Sequence, residues 1–230
     1  MRGCIIAVTW LSLMAGHGFA WQRSADSRPG DYHGVIRGVV RNEQGRTVDG
    51  VEVSAELLGV PAGNGRRFVE TDAAGTYVLD RLGWGQYAVC ARKESDGYAD
   101  ICRPFFRNGH LFITTLSAQS PVAEVAVVIG PRAAILTGSI SDANTGEQVS
   151  GTLRMQSRDH AAFIAQSVSA TFRVLVPPGV DLELEVRAGG YAVWRYSAES
   201  EKGTGALNMR AEEVRSLDIY LKRDPPAGER

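Results

Sequence analysis

The chain has 230 residues, 44% of them hydrophobic and 22% charged, with a formal net charge of -1. That length has room for two domains of about 100 residues each. The near-zero charge leaves no electrostatic footprint for nucleic acid or an anionic membrane surface.

Residues 1–20 read as a cleaved signal peptide. Arg2 supplies a positive start, Cys4 to Gly16 is apolar, and Gly18-Phe19-Ala20 is a small-x-small cleavage site. The apolar stretch is shorter than the about 20 residues a spanning helix needs. The competing reading is a buried N-terminal helix. Cys4 stands in front of the apolar stretch, which argues against a lipid-modified cysteine, and the mature chain is expected to begin at Trp21. No other run is apolar enough to span a bilayer, so no membrane span is expected after signal removal. Residues 21–32 (WQRSADSRPGDY) are a polar export linker.

Two-residue alternation then begins. His33 to Val40 is a first strand and Asn42 to Gly45 its turn. Val51, Val53 and Ala55 alternate with Glu52, Ser54 and Glu56, one apolar and one wet face. Phe68 to Thr71, Tyr77 to Leu79 and Tyr87 to Ala91 supply three more strands. Lys93 to Ser120 is less regular but carries Tyr98, Ile101, Phe105 and Phe106, enough apolar mass to pack. Val122 to Ile129 reads as one closing strand, and Gly130-Pro131 as the domain boundary.

The second half restarts the cycle. Leu136-x-Gly138-x-Ile140-x-Asp142 repeats Ile36-x-Gly38-x-Val40-x-Asn42, and Gly146, Val149 and Gly151 follow Gly45, Val48 and Gly50 with one inserted residue. Phe172-x-Val174 stands where Tyr77-x-Leu79 stood. Leu182, Leu184 and Val186 alternate with Glu183, Glu185 and Arg187, a half-buried strand. Ala211 to Ser216 is the best helical window, yet barely two turns. Leu217, Ile219 and Leu221 offer a last strand, and 223–230 a disordered tail.

Short strands joined by Gly, Asp and Asn turns predict an all-β chain: two tandem antiparallel β-sandwiches, over 33–130 and 131–222. The order of glycines and aromatics from Gly34 through Thr71-Asp72-x-x-Gly75-x-Tyr77 to Gly85-x-Tyr87-x-Val89 resembles the carboxypeptidase regulatory-like domain family. That family is a transthyretin-like (prealbumin-like) relative of immunoglobulin folds. Thr47 departs from its pattern, which commonly has proline before the Val-x-Gly step. The second copy has Ser169-Ala170-Thr171 in place of the Thr-Asp-x-x-Gly turn and reads as a divergent repeat. The resemblance implies a module that accompanies catalysis or transport rather than performing it.

Removing the signal leaves Cys90 and Cys102, an even pair that reads as a disulfide in an oxidising compartment. The alternative is two unpaired thiols with Cys90 packed in a core. No activated-serine elbow, phosphate cradle or HExxH spacing is present, and His33, His110 and His160 lie far apart in sequence. Asp72 and Asp142 occupy turns but begin no calcium loop. No catalytic residue, cofactor or metal site is assigned. The remaining handles are aromatic: Trp84 between two glycines, and Tyr191, Trp194 and Tyr196 close together in sequence. Such rings serve as stacking platforms or interface anchors, or plug the ends and seam of a sandwich.

The leading expectation is a non-enzymatic exported module, periplasmic or extracellular, that contacts an envelope protein or polysaccharide, with no nucleic-acid partner. The alternatives are a carbohydrate-binding module using Trp84 or Trp194 with Tyr196, and a small hydrolase, which would need one of the histidines beside a carboxylate and a hydroxyl.

Overall fold

The computed structural model describes residues 33–61, 65–106, 111–160, 162–196 and 205–224. The signal and linker readings, His110 and residues 225–230 lie outside the described residues. Among the described residues, fifteen strands make two β-sandwiches in tandem.

In the first, β1 (Gly34–Asn42), β4 (Thr76–Leu82), β7 (Val122–Glu124) and β8 (Val127–Ile129) form one sheet. It packs on a sheet ordered β3-β2-β5-β6, built from β2 (Glu52–Leu57), β3 (Arg66–Glu70), β5 (Gly85–Arg92) and β6 (Phe112–Leu116). The second sandwich pairs β12-β9-β15 with β11-β10-β13-β14. Its strands are β9 (Ala134–Asp142), β10 (Gly151–Ser157), β11 (Phe163–Val168), β12 (Thr171–Val176), β13 (Leu182–Arg187), β14 (Trp194–Arg195) and β15 (Val214–Leu221).

Alternation builds both cores. Ile36, Val40, Val53, Leu79, Val89 and Ile129 fill the first; Leu136, Ile140, Leu153, Leu184, Val186 and Ile219 fill the second. Each such side chain, fully withdrawn from water, contributes about 1.5–3 kcal/mol.

The repeated glycines now have a physical cause. A Cβ on Gly38 would lie 1.9 Å from the Val125 carbonyl oxygen, and one on Gly138 2.0 Å from that of Leu217. In each sandwich the closing strand presses its backbone against the first strand where the side chain is missing. An aromatic ring flanks the same place from the other side: Gly38 is paired with Tyr77, and Gly138 with Phe172.

The closing strands differ from the sequence expectation in two respects. They run parallel to the first strand of their sandwich, β7 and β8 along β1 and β15 along β9, while the other ladders are antiparallel. The segment read as one strand from Val122 to Ile129 is also broken in two. Around the break the Val125 N–H donates to the Arg37 carbonyl, and its own carbonyl accepts the Tyr77 hydroxyl at 2.7 Å. Phe172 has no hydroxyl to offer, and β15 runs unbroken through eight paired residues.

Other departures are local. The irregular stretch after Lys93 contains β6, and β10 and β11 form across 151–168, where no strand was read. Residues 211–212 make a turn rather than a helix, after which β15 begins. Ser54, expected on a wet face, is 2% exposed, and its hydroxyl accepts a hydrogen bond from Arg66. The tail expected from 223 is held at its start: Arg223 bridges to Tyr191, and the Asp224 N–H donates to the Gly190 carbonyl.

Candidate binding sites

Cys90 and Cys102 are joined in a disulfide. Cys90 faces away from the first core, opposite in alternation to Val89 and Ala91, yet is only 1% exposed. The bridge ties residues 93–106 onto that outer face. Two 3-10 turns shape the segment, Glu94–Asp96 and Pro104–Phe106. Tyr98 and Ile101 enter the first core, Phe105 packs against the second, and Phe106 is buried with Ala99 and Ala133. The segment is therefore a wedge between the sandwiches. Arg132 fastens its flank, with its guanidinium 5.2 Å from the centre of the Tyr98 ring and 2.7 Å from Glu212.

Among the described residues, Cys90, Asp100 and Cys102 have the spacing of metal ligands. The two sulfurs are bonded to each other, and Asp100 accepts the Cys102 N–H at 2.9 Å. The donor set does not fit a metal in this state.

The turn aspartates are committed as well. Asp72 accepts the Ala74 and Thr76 N–H groups and the Thr76 hydroxyl, and these bonds, the Thr76 hydroxyl first, lower its pKa. The neighbouring Thr71 hydroxyl accepts from Val51 N–H and donates to the Val48 carbonyl, closing the preceding loop. Asp142 is buried under Arg223 at 2.6 Å and also accepts the Asn144 and Thr145 N–H groups and the Tyr191 hydroxyl. The Arg223 guanidinium first, then those donors, hold its carboxyl far below the usual carboxylate range.

Tyr191 is thereby part of a closure: its hydroxyl holds Asp142, and Arg223 lies 5.8 Å from the centre of its ring. Trp194 and Tyr196 meet edge to face, centroids 6.4 Å apart and planes at 63°, and both are half-buried against the second core. They are not coplanar, so they form no flat platform. Trp84 belongs to the other sandwich, half-buried at the margin of the first core. His33 precedes β1, while His160 sits in the β10–β11 turn with its Nδ1 2.8 Å from Gln156.

Two hollows remain beside these aromatics. One, of about 530 Å³, lies on the outer face of β10, β13 and β14 and is lined by Tyr196, Arg154, Arg158, Arg195, Glu183 and Glu185. Its charges are largely satisfied. Arg187 and Arg195 both pair with Glu185, whose pKa is lowered first by Arg187, and Arg154 stacks 4.5 Å from the centre of the Phe163 ring. The other, of about 390 Å³, opens between β3 and β4 beside Trp84, with Arg66, Arg67 and Arg81 around it. Sequence reasoning singled out Trp84 but missed these arginines, which only the fold brings together.

No family model matches the chain, and no curated protein is similar to it. Among solved structures, the TIE protein of Bacillus anthracis is 12% identical over 83% of this chain, with a TM-score of 0.33. A streptococcal ancillary pilin is 12% identical over 84%, also at 0.33. The shaft pilin SpaA of Lactobacillus rhamnosus GG is 10% identical over 84%, at 0.32. The chain spans 34%, 62% and 98% of these three chains respectively.

Proposed function

We propose that the chain is a non-enzymatic, exported module of the cell envelope, with domains over 33–130 and 131–222 that present binding surfaces from one scaffold. The observation that carries this reading is the disulfide-anchored wedge, which packs Tyr98 and Ile101 into one core and Phe105 against the other. Disulfides persist in oxidising compartments, which agrees with the signal-like residues 1–20. Resemblance of residues 34–89 to the carboxypeptidase regulatory-like family supports an accessory role, an analogy at the level of fold.

Fractionation with N-terminal sequencing tests the address: the mature chain is expected outside the cytoplasm, beginning at Trp21. Photo-crosslinking from exposed Phe163 and Val128 is expected to yield a discrete adduct with an envelope component. An unprocessed cytoplasmic chain with Cys4, Cys90 and Cys102 all alkylatable would overturn the reading.

A second reading, binding of carbohydrate, is favoured by the hollow beside Trp84. Polysaccharide pull-down lost in Trp84→Ala but retained in Trp194→Ala supports that location; no retention of any polymer removes it.

A further inference from the structure

We infer that the hollow between β3 and β4 binds a carboxylate-bearing sugar of an acidic polysaccharide. The inference rests on reading the chain as a binding module and gives one site a ligand class.

The hollow lies along the open side of the first sandwich, where the edge strands of its two sheets approach each other. Its volume of about 390 Å³ falls within the range of small-ligand pockets, about 300–1,000 Å³. Arg66, at its rim, is taken by Glu56 at 3.3 Å and Glu52 at 3.8 Å. Arg67 and Arg81 have no ion pair among the described residues. Arg67 shares the core-side face of β3 with Val69, so at this edge a guanidinium occupies a register position that elsewhere holds an apolar side chain.

Arg81 is placed by a β-bulge. Two steps along β1, Gly34 to Ile36, match three along β4, Leu82 to Leu79. The additional residue leaves Arg81 at φ +56°, a left-handed conformation unfavourable for a side chain with a Cβ. Bulges re-aim side chains; here Leu82 returns to the core while Arg81 lines the hollow with Trp84.

The combination selects the ligand. Guanidinium groups bind carboxylates through paired, charge-assisted hydrogen bonds. The Trp84 indole, with Leu57, offers apolar surface to the C–H groups of a sugar ring. An acidic peptide adding to the sheet would use the outer backbone edge of β3 or β4, leaving this side-chain hollow unfilled.

The test measures binding of the mature full-length protein to polygalacturonate, dextran and poly-L-glutamate by affinity electrophoresis and calorimetry. Polygalacturonate is expected to bind, more weakly as NaCl is raised, and dextran not to bind. Arg67→Gln and Arg81→Gln should each weaken binding about tenfold or more. Arg81→Gly is the decisive variant: it relieves the left-handed strain, so the melting temperature should hold or rise while binding falls as in Arg81→Gln. Arg46→Gln, outside the hollow, should bind as wild type.

Absence of polygalacturonate binding, or binding indifferent to both Arg81 variants, overturns the proposal. Equal binding of dextran makes the ligand neutral, and equal binding of poly-L-glutamate with the same sensitivity makes it an acidic protein segment; either result also overturns it. All these failures leave the envelope-module reading standing, since crosslinking and fractionation decide that separately.

Discussion

Two backbone contacts, at Gly38 and Gly138, explain why a glycine recurs at the same place in the first strand of each repeat. Both glycines sit inside strands, and any side chain there would displace the closing strand. Gly38→Ala and Gly138→Ala should each cost about 3 kcal/mol, the upper end of overpacking penalties, seen as a lower denaturation midpoint. Asp142 has a different signature. Folding lowers its pKa, so the stability it contributes is complete above the ordinary carboxylate range near about 4 and is lost as pH falls below it. Asp142→Asn should leave a protein less stable at neutral pH but with a flatter acid limb, measured by thermal unfolding between pH 2 and 7 (approximate limits). The glycines were visible in the sequence, but their reason was not. It depends on which strand returns beside β1 and β9, a pairing across about 80–90 residues that no local pattern encodes.

Element by element, legibility followed alternation. β2 and β13 could be read because one face is apolar and the other polar, and β5 because Tyr87 to Ala91 is a continuous apolar run, buried on both faces. β10 escaped because only Leu153 and Met155 carry its apolar period; the flanking core-side positions are Gly151 and a buried Ser157. The wedge over 93–106 carries apolar residues without a period, since it serves two cores at once. Its disulfide closes a short loop with a sequence separation of 12. Cys102→Ser should therefore cost about 2–4 kcal/mol and open residues 93–106 to limited proteolysis. Unchanged stability together with unchanged protection would show that packing alone holds the wedge. The candidate aromatics divide similarly. Tyr191 could be named from sequence, but not its commitment to Asp142 and Arg223, which lie far from it along the chain.

For the whole molecule, the wedge is a packed contact shared by both sandwiches. Phe106→Ala should leave both cores folded by near-UV spectra yet increase their relative motion, measured as a broader distribution in small-angle scattering; an unchanged profile would place the coupling in Arg132 and its partners instead. The parallel closing strands carry a mechanical consequence. In the second sandwich β9 enters and β15 leaves at opposite ends of one eight-residue ladder. Tension applied through the two ends would slide these strands along each other and load every rung at once, rather than peel the rungs apart one by one. The first sandwich repeats the geometry with β1 against β7 and β8, but in two short pieces separated at Val125. Pulled from both ends, the chain should yield first at that interrupted seam.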